Sequence, residues 1–391
     1  MEKLQSILNY SVGSFTVGKI FEAVIVFVIC YFLIRIIMTI CDIISGKSKR
    51  RAVFMLITKP DFYDSFKCRA GECTDSCCIG WEIDIDDETM RKYENENDSL
   101  SVKLNRFTDR EKQCFILTED DRCPFLKSDG LCELILTNGE DMLCEICREH
   151  PRFYARYGDF YDMGEGLCCE EAASLLFLNT SPLKLITEAE SRDDAAYFDE
   201  GLIDPETLYM LRQSTLHMLC DRTQTLHDRI HSIFKNLLLK QYGKINFAFP
   251  SEDEFYDILI KASKKTEAYD ADFTHLLKCL CENKAEALNS RKTFISYLGE
   301  RTADYEKLLS YLVFRHFPKA VYDGDALGKF CFCVGVTAIT FYADVLLFAE
   351  RGKFDLDDRI NSVKYLSKQF EYSDENPEIL SEELKKRILR I

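Results

Sequence analysis

The sequence is short of cations: 50 Lys and Arg stand against 66 Asp and Glu, a formal charge of −16. Such a deficit disfavours a nonspecific grip on phosphate backbones, which needs cations to displace counterions, so a basic protein partner fits better than nucleic acid. No strand-linked G-x-G-x-x-G is present, and a Rossmann-type methyltransferase or dinucleotide site is therefore not visible. The C-x3-C-x2-C triad of familiar radical enzymes is missing as well. None of the six His sits at ligand spacing near the cysteines except His150, three residues after Cys147. No familiar zinc-finger pattern results, and His150, ahead of Pro151, reads as a surface or packing residue. Internal repeats and low-complexity linkers are also absent. What is there is ordinary globular material: 391 residues, 47% hydrophobic and 12% aromatic, enough for one large or two modest domains with a substantial core. The unusual count is 18 cysteines.

Residues Ala23 to Cys41 form a nineteen-residue apolar run in which Arg35 and Thr39 are the clearly polar members. As a helix the run measures about 28 Å, close to the thickness of a bilayer's hydrocarbon core. A single transmembrane helix over about 20–44 is expected. The cluster Lys47, Lys49, Arg50 and Arg51 favours the cytoplasmic side for everything downstream, and its place where a cleavage site would fall argues against a signal peptide. Residues 1–52 carry seven basic and three acidic side chains, which leaves −20 on residues 53–391. A cytosolic setting keeps thiols reduced, so dense cysteine spacing points to metal and away from disulfides.

The organisation expected is an N-terminal extension (1–54), a Cys-rich domain (55–180) and a helical domain (181–391). The fold class is mainly α with a small Cys-rich α+β metal-binding domain. Trp81–Ile85, Cys114–Leu117 and Leu131–Leu136 suggest strands, and Asp86 or Asp87 caps a helix through Met90 and Tyr93. Gly139 opens another helix that Pro151 ends, and residues 153–163 read as a hairpin centred on Gly158 and Asp159. Beyond Ser181 the apolar spacing predicts helices over 208–219 and 226–237, then Thr293–Arg315, Leu327–Arg351 and 380–389.

Eleven cysteines lie between Cys68 and Cys169: Cys68-x4-Cys73-x3-Cys77-Cys78, then Cys114, Cys123, Cys132, Cys144-x2-Cys147 and Cys168-Cys169. Thiolates two to four residues apart on a turn-rich backbone can converge on one metal while loop amides donate to sulfur. Cys30, Cys41, Cys220, Cys279, Cys281, Cys331 and Cys333 read instead as small buried hydrophobes. Ligand type leaves zinc and an iron–sulfur cluster both open, and the number of thiols leaves room for two sites or for structural spares. Tyr154, Tyr157, Asp159 and Tyr161 are candidates for a base, and Arg148 and Arg152 for binding a carboxylate, against plain packing and ion-pair roles.

Four segments, FKCRAGECTDSCCIGWEIDID from Phe66, CPFLKSDGLCELI from Cys123, CEICREHPRFY from Cys144 and LCCEEAASLL from Leu167, resemble the flagellin lysine-N-methylases, the FliB-like proteins. Weaker echoes are YEKLLSYLVFRHF from Tyr305 and KQFEYSDEN from Lys368, so the resemblance covers roughly residues 60 to 376. It implies metal ligation by Cys68, Cys73, Cys77, Cys78, Cys123, Cys132, Cys147 and Cys169. Cys144 and Cys168 are additions to the family pattern, and His150 stands where the family has an aromatic. The resemblance further implies methyl transfer from S-adenosylmethionine to flagellin lysines, assisted by a [4Fe-4S] cluster, with zinc the alternative. The expected location is the cytoplasmic face of the bacterial inner membrane, or the cytoplasm if translation starts at Met55. Competing readings are a noncatalytic zinc- or cluster-stabilised binding module and a membrane-anchored iron–sulfur electron carrier. No catalytic or donor-binding residue is assigned.

Overall fold

The computed structural model describes residues 11–12, 15–16, 28, 31–37, 53–74, 76–97, 99–192, 201–243 and 249–389. Most of the expected membrane segment lies outside them. Within it, Val28 and residues 31–37 are helical, and Leu33, Ile34, Ile36 and Ile37 are exposed. Met1–Val53 with Ser191–Ala196 form one compact unit; Phe54–Glu190 with Tyr197–Ile391 form the other.

In the larger unit four strands make a mixed sheet: β1 (Val53–Pro60), β2 (Arg152–Tyr157), β3 (Phe160–Glu165) and β4 (Leu185–Arg192), in the order β2-β3-β1-β4. The expected hairpin is β2 and β3, antiparallel with Tyr157 opposite Phe160, and Gly158 supplies the positive φ of +59° that the tight turn demands. β1 pairs in parallel with β3, Leu56 opposite Phe160 and Thr58 opposite Asp162. A strand from the start of the unit thereby joins one a hundred residues later.

Asp86 caps the helix Asp87–Asn95 by accepting from Thr89 N, and the helix buries Met90 and Tyr93, as expected. Three expectations fail. Trp81–Ile85 is no strand; it makes one isolated bridge, Asp84 to Cys114. Leu131–Leu136 is not extended: Glu133–Asn138 is a helix, because Leu134 alone turns to the core while Ile135 and Leu136 face solvent, and Gly139 at φ +87° stops it. The helix expected from Gly139 is broken into the turn Glu140–Met142 and the short helix Glu145–Glu149.

The helical part surrounds Ala326–Arg351, a 26-residue helix against which Asn376–Leu389, Lys284–Leu298, Ala303–His316 and Leu356–Glu371 pack. Among the described residues it is the helix long and apolar enough to cross a membrane, yet most of it is buried by its neighbours. Gly335 permits the closest approach, since a Cβ there would meet Leu384 Cδ1 at 2.5 Å. The single helix expected over Thr293–Arg315 is two, Lys284–Leu298 and Ala303–His316, broken where Gly299 takes φ +55°.

Candidate functional site

Ten of the cysteines between Cys68 and Cys169 gather into two groups. The inner group is Cys78, Cys123, Cys132, Cys144 and Cys147, packed on a core that includes Ile83, Tyr93, Phe115 and Phe125. Local backbone explains the convergence. Cys123 N donates to Cys78 O at 2.8 Å, and Leu126 bridges Cys132 across a turn that needs Gly130 at φ +77° against Gly71. Cys132 and Cys144 cap the helices Glu133–Asn138 and Glu145–Glu149, the second of which carries Cys147. Burial and the neighbouring thiols push Cys123 up to about 12. Cys144 and Cys147 interact, which raises Cys147 and lowers Cys144.

The outer group is Cys68, Cys73, Cys77, Cys168 and Cys169. Its loop is tied down by charge: Arg69 Nη1 meets Glu170 Oε1 at 2.8 Å, Arg69 Nε meets Glu171 Oε2 at 2.5 Å, and Thr74 N donates to Glu170 Oε2 at 3.0 Å. Lys364, from the helix Leu356–Glu371, donates to Thr74 Oγ1 at 3.0 Å and reaches Glu170 at 3.4 Å. Cys169 occupies the N-cap position of the helix Glu170–Leu176, and Ala70 N donates to Cys68 Sγ at 3.3 Å. Cys77 is raised by its interaction with Cys78, by burial and by the charges of Cys68 and Cys169. The adjacent Cys77 and Cys78 are thus the step at which the two groups meet. Trp81 lies against His150 at 5.6 Å and Tyr372 at 6.4 Å, ring centroid to ring centroid. His150 is a packing residue: burial lowers it to about 4, leaving it neutral at pH 7.

The fit to a metal can be judged from the donor set. A single tetrahedral zinc wants its thiolates about 3.8 Å apart, from bonds of about 2.3 Å. Among the described residues no three Cys, His, Asp or Glu are drawn together closely enough to hold one ion. An iron–sulfur cluster spreads its thiolates over separate iron corners and is tuned by hydrogen bonds to sulfur. An all-thiol donor set, with Ala70 N donating to Cys68 Sγ, fits that chemistry better. All eight cysteines named from the sequence fall into the two groups, four in each. Cys144 and Cys168 join them; the C-x2-C spacing of Cys144 was the signal for the first.

The other candidates have structural partners. Tyr157 is buried against Arg212, Tyr154 Oη donates to Glu149 Oε2 at 2.5 Å, Arg148 Nη2 donates to Leu143 O at 2.8 Å, and Arg152 lies over Phe66 at 5.3 Å. Sequence reasoning missed Glu165, at the end of β3. It is fully buried, and neither carboxylate oxygen has a hydrogen-bond partner among the described residues. Burial pushes it up to about 8 despite Arg152. With the folded value above the unfolded one, the unfolded chain ionises first, so this group's contribution to stability falls as pH rises from about 4.5 to about 8. Glu165→Gln should therefore melt higher than the parent at pH 8, with the gap closing toward pH 5. A gap independent of pH would show that Glu165 does not titrate there.

Residues 204–390 match the model of the FliB lysine N-methylase C-terminal domain. Two relatives named Lysine-N-methylase, from Salmonella typhimurium strain LT2 and Salmonella choleraesuis strain SC-B67, are 23% identical over 215 residues, covering 52% of this chain and 53% of each of them. Flagellar biosynthetic protein FliU of Salmonella muenchen is 26% identical over 137 residues, 33% of this chain and 81% of that protein. No solved structure matches. Over residues 204–390 the chain resembles the C-terminal domain of the FliB lysine N-methylases. It matches about half the length of the two lysine N-methylases.

Proposed function

We propose that this protein transfers methyl groups from S-adenosylmethionine to lysine side chains of flagellin, with the Cys-rich part holding a [4Fe-4S] cluster and the 20–44 segment anchoring it at the cytoplasmic face of the bacterial inner membrane. The observation that carries the reading is the family match across the helical half, supported by relatives named for lysine methylation and for the flagellum. In the transfer, the lysine ammonium first loses its proton to a base. The amine lone pair then attacks the methyl carbon as the carbon–sulfur bond breaks, and the sulfonium leaves as a neutral thioether. Cys68, Cys73, Cys77 and Cys169 in one group, and Cys78, Cys123, Cys132 and Cys147 in the other, are the residues that would hold iron. The cluster would supply Lewis-acid or redox chemistry there. Arg69, Glu170 and Lys364 fix the outer loop that carries Cys68 and Cys73.

The −20 on residues 53–391 gives a lysine-bearing partner a field to follow. Flagellin incubated with the protein and S-adenosylmethionine should gain mass in steps of one methyl group. The initial rate should fall several-fold between low and physiological salt, because screening shortens the reach of that field. Unchanged flagellin mass with anaerobically prepared, iron-containing protein would overturn the reading.

A further inference from the structure

A cavity of about 1060 Å³ opens in the helical part, away from the Cys-rich segments and lined by the first two residues of the YEKLLSYLVFRHF stretch. Its walls come from the helices Leu226–Tyr242, Lys284–Leu298, Ala303–His316 and Ala326–Arg351 and from Phe249 and Pro250. One side is apolar and aromatic: Ile230, Phe249, Tyr305, Val334, Phe341 and Tyr342. Tyr305 and Phe341 meet edge to face at 5.0 Å, as do Phe341 and Tyr342 at 5.3 Å, and Arg359 lies over the Tyr305 ring at 3.8 Å. The lining also holds Glu306, buried at 3% exposure and clamped by two guanidiniums. Arg222 Nε donates to both of its oxygens at 3.1 and 3.0 Å, and Arg229 Nη1 donates to Oε2 at 2.7 Å. Two cations on one carboxylate leave an excess positive charge on this wall, in a chain whose total is −16. Arg291 pairs with Glu252 along the lining, and Lys292 and Glu300 stand nearby in it.

We infer that this cavity binds the adenosyl methyl donor, the purine against the aromatic wall and the amino-acid carboxylate toward Arg222. The assignment rests on the methyl-transfer reading above and locates its donor. A mostly apolar cleft of this size with a few convergent charged groups is the usual form of a small-molecule site. An aromatic wall suits a flat heterocycle, and a surplus guanidinium suits a carboxylate. Nearly the whole lining falls within residues 204–390, the stretch shared with the family's C-terminal domain. The cavity also connects to the cysteines through one helix. Glu306 and Arg315 lie on Ala303–His316, nine residues and about 14 Å apart. Between them Tyr311 Oη donates to Glu165 O at 2.6 Å, and a Cβ on Gly166 would sit 3.2 Å from Arg315 Nη1 and 3.1 Å from Cys168 Sγ.

The test is equilibrium dialysis of labelled S-adenosylmethionine against the full chain, purified anaerobically, beside Ala338→Trp, which fills the cavity, and Arg222→Gln, which leaves Arg229 on Glu306. The parent should bind saturably, Ala338→Trp at least tenfold more weakly and Arg222→Gln several-fold more weakly, with melting temperatures in the absence of donor close to the parent's. If Ala338→Trp misfolds, Ile230→Trp blocks the same space. Folded, cavity-filled protein that binds donor as tightly as the parent would overturn the assignment and leave methyl transfer standing. Displacement of the labelled donor by fatty acid but not by S-adenosylhomocysteine would likewise overturn it, in favour of an amphiphile site. A parent that binds no donor and methylates no flagellin would take the underlying reading down as well.

Discussion

Arg212→Ala should destabilise the larger unit by about 3–5 kcal/mol, the cost of leaving a buried carboxylate without its cation. Arg212 lies on the helix Pro205–Cys220 and Asp162 on β3, each at 1% exposure. Arg212 Nη2 donates to Asp162 Oδ1 at 3.1 Å, Nη1 to Asp162 Oδ2 and also to Phe314 O at 3.3 Å. The guanidinium is enclosed by Tyr157, Tyr209 and Phe314, with ring centroids at 5.5 to 5.6 Å, so water cannot replace the lost donor. This pair holds the sheet of the Cys-rich part to the helices, and its loss is felt by both. Arg212→Met combined with Asp162→Leu should recover most of the deficit, because removing both charges removes the desolvation penalty with them. Urea denaturation of the three variants decides the matter. A single-variant cost below about 1 kcal/mol would mean that solvent reaches the pair.

Much of the local structure is legible in the sequence because it is decided locally. Asp86 three residues before Thr89 is a cap whatever surrounds it, and Gly158 between aromatic-rich runs makes a hairpin. The long apolar helix appears within one residue of its expected bounds, since its core-facing stripe is nearly continuous. What escapes is decided at a distance. Residues 133–138 carry an apolar run that suits a strand until the inner cysteines recruit Leu134 alone to the core. β1 gains its place from a parallel partner a hundred residues on, and nothing within VFMLITKP announces that pairing. The division of the thiols is hidden for the same reason. Cys77 and Cys78 are neighbours in the chain, yet the ion pairs of Arg69 with Glu170 and Glu171 draw the first toward Cys169, while the hydrogen bond from Cys123 N draws the second inward. Glu165 had no signal at all, since a lone acidic residue closing a strand reads as solvent-facing.

Substitutions in the two thiol groups should then have different consequences. Cys132→Ser sits in a core with Cys123 at 6% and Cys144 at 0% exposure, where a hydroxyl without a partner costs about 1–3 kcal/mol. Where thiolates hold metal the loss is greater, because metal-binding free energy is part of folding free energy. Cys73→Ser, by contrast, changes a half-buried loop already secured by Arg69, Thr74 and Lys364. We expect Cys132→Ser to lower both the unfolding midpoint and the iron content, and Cys73→Ser to lower iron content and flagellin methylation while moving the midpoint little. Partial losses that sum to the parent's content would mean that each group holds iron of its own. Complete loss of iron from either variant alone would instead mean one centre shared across the Cys77–Cys78 step. Iron and zinc per chain, measured beside the denaturation curve on the same anaerobic sample, separate these outcomes, and metal content unaffected by both substitutions would show that these thiols hold none.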